Sequence, residues 1–244
     1  MSAHVVALIL AYNEEGSLPG LLCEIAHACP DWEVVVVSDG SIDRTTERAR
    51  AAGAVLLQLP FNSGVATAEQ TGFLYALQAG ADIVVRLDGD GQHPPAEARL
   101  VVEALERTAA DVVIGSRFLD GEGYQSTPLR RGGIRWLSFL LRRLGGVHVT
   151  DPTSGLRAFG RSAFSLLALV YPSGYPEPES NLLLARARLR LSEVPVRMRP
   201  RDVGQSSLGG WSSLYYPLKV TFALIVEALR RPAVPPSKDR ERGR

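Results

Sequence analysis

The chain has 244 residues, of which 45% are hydrophobic, so it can bury one substantial core as a single domain. Its formal net charge of +1 lacks the basic excess typical of nucleic-acid-binding proteins, so we expect no nucleic-acid partner. The N-terminus has no charged n-region and enters an apolar run at once, so we expect no signal peptide. The two cysteines, Cys23 and Cys29, lie in a predicted amphipathic helix (17–29), which indicates buried thiols of a reducing compartment and no disulfide.

Short apolar runs alternate with segments of helical periodicity through the first half of the chain. The runs, each predicted to be a strand, are 5–10, 34–37, 55–59, 83–87 and 112–114. The predicted helices are 18–29, 43–52, 66–79 and 96–108. Because strand–helix alternation implies right-handed crossovers, we predict an α/β fold with a mainly parallel central sheet.

Polar clusters follow three of the predicted strands. They are Tyr12-Asn13-Glu14 after the first, Ser38-Asp39-Gly40-Ser41 after the second, and Asp88 with Asp90 after the fourth. Ligands of such sheets bind beyond the carboxyl ends of the strands, so three clusters at one edge predict a nucleotide site. No G-x-G-x-x-G motif follows the first strand, which excludes the dinucleotide fingerprint.

The most informative run is 86–93, with the sequence Arg-Leu-Asp-Gly-Asp-Gly-Gln-His. An extended Asp-x-Asp pair places both side chains on one side of the backbone, and Mg²⁺ and Mn²⁺ prefer such oxygen ligands together with phosphate oxygens. We therefore expect Asp88 and Asp90 to hold a divalent cation that binds a diphosphate; the alternative is a solvated Asp/Gly turn. His93 is a weaker candidate, because Pro94 fixes its backbone and a hard-oxygen site has little use for imidazole.

The order of motifs resembles that of inverting family 2 glycosyltransferases with the GT-A fold. In the first half the matching segments are 11–15, 37–45, 62–64 and 88–93. In the second half, segments 115–118, 151–157, 193–196 and 201–206 are similar to the polyprenyl-phosphate (dolichol-phosphate mannose synthase-like) branch. The resemblance covers roughly residues 5–208 and implies a GT-A domain over 1–210.

The resemblance also implies roles for individual residues. The nucleotide-sugar donor would be bound by Tyr12, Glu14, Asp39, Asn62 and Asp88, and Mg²⁺ or Mn²⁺ by Asp88, Asp90 and Gln92. Catalysis would involve Asp90, Arg117 and Glu179, and the acceptor or other phosphates would be bound by Arg117, Arg131 and Arg201. Two alternatives remain open: Asp39 as a turn residue that caps the helix near Asp43, and Arg130 in place of Arg131.

The chemistry of the acceptor separates two hypotheses. A sugar hydroxyl needs a general base, whereas a phosphate monoester is already an anion at neutral pH. We favour a polyprenyl phosphate, with Glu179 matching a glutamate of that branch. The alternative is a hydroxyl of a glycan, glycolipid or small molecule, with Glu177 or Glu179 as the base; an inactive protein that recruits a membrane partner is a third hypothesis.

Two segments suggest contact with a membrane. Residues 130–144 form a basic amphipathic pattern that is typical of a lipid-interface helix, although an ordinary core helix with charged flanks would look similar. Residues 211–231 are apolar but interrupted, so we expect an amphipathic helix that binds lipid or a small membrane protein. Residues 232–244 are predicted to be a disordered tail, and the protein to be cytoplasmic and peripheral at the inner membrane face.

Overall fold

A seven-stranded sheet forms the centre of the molecule, with the strand order β3-β2-β1-β4-β6-β5-β7. The computed structural model describes residues 3–120, 128–172, 174–199 and 212–230, except for the side chains of 128–130 and 212–216. The strands are β1 Val5–Ala11, β2 Glu33–Asp39, β3 Val55–Leu59, β4 Ile83–Asp88, β5 Val112–Ser116, β6 Arg157–Gly160 and β7 Leu191–Pro195. The helices are α1 Leu18–Ala28, α2 Thr45–Ala51, α3 Val65–Gln78, α4 Pro95–Arg107, α5 Pro128–Gly145, α6 Arg161–Leu169, α7 Pro176–Arg186 and α8 Ser212–Leu229.

The predicted α/β class with a mainly parallel sheet is confirmed. The pairs β3–β2, β2–β1, β1–β4 and β5–β7 are parallel, and β6 lies between β4 and β5 and runs antiparallel to both. The inner strands β1 and β4 are buried almost throughout because helices cover both faces of the sheet, which explains their continuous apolar runs. The prediction for the cysteines was wrong in one respect: Cys29 is buried, but Cys23 is exposed.

Helices α5, α7 and α8 pack together beside the sheet. Their shared core contains Leu137 and Leu141 from α5, Leu182 from α7, and Val220 and Leu224 from α8. One face of α5 is therefore a core face, as the alternative interpretation expected, and α8 occupies 212–229 within the predicted segment 211–231. Within the described parts of the chain, no helix combines the length and apolarity needed to cross a membrane. The predicted tail, 232–244, lies outside the described residues.

Candidate active site

The loops that follow β1 and β2 are tied to each other at the carboxyl edge of the sheet. The Asn13 backbone N–H donates to Ser41 Oγ at 3.1 Å, and the Ile42 N–H donates back to Asn13 Oδ1 at 2.9 Å. The Glu14 N–H donates to Thr45 Oγ1 at 2.7 Å. Asn13 has a φ of 54°, a left-handed conformation that asparagine tolerates better than most residues. Hydrogen bonds thus join the two predicted donor-binding segments that follow β1 and β2.

Asp39 organises the loop before α3. Its carboxylate accepts hydrogen bonds from the backbone N–H groups of Ser63 (2.7 Å) and Gly64 (2.9 Å), and the residue is 6% exposed. Both groups belong to the loop before α3, and the N-cap residue of α2 makes no side-chain cap, so the alternative role of Asp39 as a cap of the helix near Asp43 was wrong. Tyr12 is 45% exposed and Asn62 is exposed, so both can face a ligand. Binding of the donor by these residues stays a prediction.

Asp88 and Asp90 lie at the end of β4, as predicted. The Gln92 backbone N–H donates to Asp90 Oδ1 at 3.0 Å, and the Gln92 side-chain amide nitrogen donates to the Arg199 carbonyl at 3.3 Å. Its amide oxygen is then the atom that can serve as a metal ligand. No group of three His, Cys, Asp or Glu side chains that could hold a metal occurs among the described residues. Two carboxylates and one amide nevertheless suit Mg²⁺ or Mn²⁺, which take their other ligands from water and phosphate.

Ser17 connects the Glu14 loop to the metal loop. Its hydroxyl lies 2.6 Å from Glu14 Oε2 and 3.0 Å from the Gly89 carbonyl oxygen. The Gly89 N–H in turn donates to the Leu10 carbonyl at 2.8 Å. The sequence analysis missed Ser17, because no local pattern shows that residues 17 and 89 meet. Glu14 is therefore held beside the predicted metal site by a serine that only the fold brings there.

Arg86 is the second residue that the sequence analysis missed. It lies inside β4 with its side chain 3% exposed, and its Nη2 is 2.8 Å from Asp88 Oδ1. Its Nη1 is 3.4 Å from Glu177 Oε1, and its Nε is 3.9 Å from Glu69 Oε2. A buried arginine requires paired carboxylates, because an uncompensated charge in the interior costs several kcal/mol.

His93 is also buried behind the metal pair. The residue is 2% exposed, and its Nε2 lies 3.8 Å from Asp88 Oδ2. Burial lowers the pKa of His93, although Asp88 and Asp90 partly oppose this, so the imidazole is favoured in its neutral form. His93 is thus a buried residue next to Asp88, and it stays the weaker candidate for a metal ligand.

Arg117 follows β5 and is fixed by Asp151. Its Nε donates to Asp151 Oδ2 at 2.6 Å and its Nη2 to Asp151 Oδ1 at 2.7 Å, while Asp151 itself is 0% exposed. The loop that carries Asp151 is held by Glu193 of β7, whose carboxylate accepts the N–H groups of Thr150 (2.7 Å) and Asp151 (2.9 Å). Burial raises the pKa of Glu193. The second-half motifs that include Asp151 and Glu193 therefore combine to orient Arg117.

The loop between Asp151 and β6 covers the Arg86–Asp88 pair. A Cβ on Gly155 would lie 2.5 Å from Asp88 Oδ2, so only glycine lets this backbone approach the carboxylate. Arg157, 1% exposed, ties the loop to α7 by donating from Nε to the Ser154 carbonyl (2.8 Å) and from Nη1 to Ser180 Oγ (3.0 Å). The fold thus places this loop and the start of α7 next to the predicted metal site.

The two candidate bases at the start of α7 differ in their surroundings. Glu177 pairs with Arg86, and its side chain is 19% exposed. Glu179 is 7% exposed and accepts a hydrogen bond from the Tyr175 backbone N–H, so it caps α7. Burial raises the pKa of Glu179, and the negative charge of Glu227 on α8 adds to the effect.

Two predicted phosphate-binding residues remain to be placed. Arg131 is exposed near the start of α5. Arg201 lies outside the described residues, as does the side chain of Arg130. The backbone just before Arg201 runs along the metal loop, since the Arg199 N–H donates to the Gln92 carbonyl at 2.9 Å.

Comparison with known proteins agrees with this geometry. The model of glycosyl transferase family 2 matches residues 6–167. The chain is 33% identical over 215 residues to the undecaprenyl-phosphate mannosyltransferase of Micrococcus luteus, covering 84% of this chain and 88% of that protein. It is 29% identical over 215 residues to the polyprenol monophosphomannose synthase of Mycolicibacterium smegmatis, covering 84% and 81%.

A solved structure shows the same fold. The glucosyl-3-phosphoglycerate synthase of Mycobacterium tuberculosis, crystallised with Mn²⁺, UDP-glucose and phosphoglyceric acid, matches with a TM-score of 0.69. The sequence identity is 21%, and the match covers 97% of this chain and 82% of that chain. The likeness at this identity establishes the GT-A type of fold and leaves the substrates to be argued from the site.

Proposed function

Because the chain belongs to glycosyl transferase family 2, we propose that it transfers a sugar from a nucleotide-sugar donor to a polyprenyl phosphate. One structural relationship carries the proposal. Asp88 ends β4 and Arg117 follows β5, and only β6 lies between these strands, so their ends are about 10 Å apart. A metal-bound diphosphate at Asp88 and an anionic acceptor at Arg117 would then lie on either side of one sugar ring.

The donor would be bound along the edge formed by β1, β2 and β4. Tyr12 offers an exposed ring for stacking on the base. Asp39 and Glu14 offer carboxylate oxygens that can accept hydrogen bonds from base N–H groups. Asp88, Asp90 and the Gln92 amide oxygen would hold Mg²⁺ or Mn²⁺. That ion, when bound, supplies positive charge to the leaving diphosphate.

The acceptor side would rely on arginine. A guanidinium forms charge-assisted hydrogen bonds to phosphate, and Asp151 fixes the Arg117 fork so that it need not be ordered when the acceptor binds. A phosphate oxygen that is already ionised can attack the sugar carbon from the face opposite the diphosphate, in a single displacement with inversion. Arg131 and Arg201 are the further predicted phosphate ligands.

A basic and apolar surface on α5 and α8 supports docking to a membrane that holds the acceptor. Its exposed apolar side chains are Trp136, Phe139, Leu218, Phe222 and Ile225. Trp136 Nε1 donates to Thr221 Oγ1 at 2.9 Å, which joins the two helices at this surface. Helix α5 has no acidic residue in its sequence, and Arg131, Arg135, Arg142 and Arg143 are exposed on it. This composition suits a peripheral position on an anionic lipid face, which we assign to the cytoplasmic side.

A hydroxyl acceptor is the second candidate, because Glu177 lies next to the Asp88–Arg86 pair, where a general base would be useful. The two candidates are separated by incubating the protein with Mn²⁺, a panel of labelled nucleotide sugars, and either a polyprenyl phosphate or free sugar acceptors. Label that enters the polyprenyl phosphate, and is absent with Asp90→Asn, supports the proposal. Label that enters only hydroxyl acceptors overturns it in favour of the second candidate.

A further inference from the structure

Arg86 sits among three carboxylates, one of which is a predicted metal ligand. Asp88, Glu177 and Glu69 lie 2.8, 3.4 and 3.9 Å from its guanidinium nitrogens. Their side chains are 38%, 19% and 3% exposed, respectively, so Asp88 is the most open to solvent. A cation that approaches from solvent therefore meets Asp88 first and finds Arg86 on its inner side.

The guanidinium is anchored from the interior. Glu69 is 2% exposed and accepts a hydrogen bond from the Tyr171 hydroxyl at 2.6 Å, so its carboxylate is fixed. Gly155 lies against both members of the pair, since a Cβ there would meet Arg86 Nη1 and would lie 2.5 Å from Asp88 Oδ2. The Asp88 carboxylate is thus held by the Arg86 fork and covered on one side by the Gly155 backbone.

We propose that Arg86 is a positioning residue that orients Asp88 for the divalent cation, and that Glu177 controls how strongly Arg86 competes with that cation. The inference rests on the proposed function, because it assumes a cation at Asp88. Glu177 shares the guanidinium with Asp88. When the cation binds Asp88, Glu177 and Glu69 remain as counter-ions of Arg86, so the arginine is not left unpaired in the interior.

The direction in which loss of Glu177 changes the affinity for the cation follows from the charges involved. Loss of the Glu177 charge leaves Arg86 to interact more strongly with Asp88 and removes one negative charge near the cation. Both changes oppose cation binding. A general base at position 177 would behave differently, because its loss slows the chemical step at any cation concentration.

Binding of Mn²⁺ to the purified full-length protein, measured by the electron paramagnetic resonance signal of free Mn²⁺, tests the inference without relying on turnover. Glu177→Gln keeps the size of the side chain, and we expect its Kd for Mn²⁺ to rise up to about 10-fold, the lower end of the loss seen when a direct partner of a metal ligand is removed, because Glu177 acts on Asp88 through Arg86. Activity of this variant should return to near the wild-type kcat at saturating Mn²⁺. Glu177→Asp, which keeps the charge, should restore part of the affinity.

Glu106→Gln is the matched control. Glu106 is exposed near the far end of α4, eleven residues and about 16 Å along the helix from Pro95, and the substitution removes the same charge. Its Kd for Mn²⁺ should equal that of the wild type. An unchanged or lower Kd in Glu177→Gln would overturn the inference, and a kcat that also stays low at saturating Mn²⁺ would then identify Glu177 as a general base.

Arg86→Lys tests the guanidinium itself. A lysine keeps the charge but cannot reach Asp88 and Glu177 at once, so we expect a higher Kd for Mn²⁺ with the fold intact by circular dichroism. Affinity equal to or higher than that of the wild type would overturn the positioning role of Arg86; if this variant does not fold, the Glu177 variants decide. Wild-type protein that binds no Mn²⁺ would instead contradict the metal site of the proposed function, so the two failures are distinguishable.

Discussion

The guanidinium of Arg117 and the carboxylate of Asp151 form a two-point ion pair, with Nε to Oδ2 at 2.6 Å and Nη2 to Oδ1 at 2.7 Å. The two residues are 34 positions apart in the chain. Because Asp151 is 0% exposed and the Arg117 side chain is 7% exposed, the pair is shielded from water. The phosphate-binding arginine of the proposed mechanism is therefore oriented before any substrate arrives.

Asp151→Asn should lower the free energy of unfolding and raise the KM for the acceptor. Removal of one charge from a buried pair leaves the other uncompensated and costs roughly 3–5 kcal/mol of unfolding free energy. Urea denaturation should show this loss, and assays at a temperature where the variant is folded should show a raised acceptor KM with donor binding nearly unchanged. A wild-type denaturation midpoint together with a wild-type acceptor KM would contradict the role of Asp151.

Much of the fold could be predicted from sequence because its signals are local. All five predicted strands are present, with bounds that differ by two residues or fewer, because continuous apolar runs reflect burial on both faces. The four predicted helices also agree within two residues, because each has one buried face and therefore an apolar spacing near 3.6 residues. Strands β6 and β7 were not predicted, since Arg157 and Glu193 break the apolar pattern that marks a strand.

The site could be predicted only in part. Asp88 and Asp90 could be proposed as a metal-binding pair because two carboxylates at a spacing of two are visible in the sequence. Arg86 was missed because its partners Glu69 and Glu177 are 17 and 91 positions away, and a charged residue in an apolar run looks like an exposed position. Such residues become interpretable only when the packing shows which charges they meet.

Asp90→Asn should abolish sugar transfer while the fold is retained. The substitution removes one of the two carboxylates that would hold the divalent cation, so the leaving diphosphate would lose its positive partner. Transfer of label from a nucleotide sugar, with and without excess chelator, is the measurement, and circular dichroism checks the fold. Full transfer by the variant, or by wild-type protein in chelator, would disprove the metal assignment.

Asp39→Ala should weaken nucleoside diphosphate binding without slowing the chemical step at saturating donor. Loss of a buried hydrogen bond to the base would cost roughly 1–3 kcal/mol of binding free energy. The substitution also leaves the N–H groups of Ser63 and Gly64 without their acceptor, so the thermal midpoint should fall as well. Isothermal titration calorimetry that shows unchanged affinity would refute the donor role of Asp39 even if stability drops.

Glu179→Gln should change how stability depends on pH. Burial raises the pKa of Glu179 in the folded protein above its usual value near 4.5, so the folded state holds its proton more tightly than the unfolded state. Stability from this group is therefore present below pH 4.5 and is lost as the pH rises through the folded pKa. Glutamine keeps an acceptor for the Tyr175 N–H but does not titrate.

The measurement is chemical denaturation of both proteins between about pH 4 and 8, a range that begins near the ordinary pKa of a glutamate carboxyl. We expect the unfolding free energy of the wild type to fall more steeply with pH than that of the variant. Glu227 of α8 and Arg230 just beyond it act on Glu179 and are unchanged in both proteins. Parallel curves would contradict the raised pKa, and a collapse of transfer to polyprenyl phosphate in the variant would favour Glu179 as a base.

Phe222→Asp should release the protein from lipid while leaving the active site intact. Phe222 is 70% exposed on α8, within the surface formed with Trp136 and Phe139, so a carboxylate there costs little in the free protein. At a lipid interface the same carboxylate must be dehydrated and meets anionic headgroups. Co-sedimentation with vesicles rich in anionic lipid should fall strongly, whereas transfer to a short-chain, water-soluble polyprenyl phosphate should be retained.

Leu169→Asp, at a 65% exposed leucine on α6, is the control and should sediment like the wild type. Equal loss in both variants, or no loss in Phe222→Asp, would contradict docking through this surface.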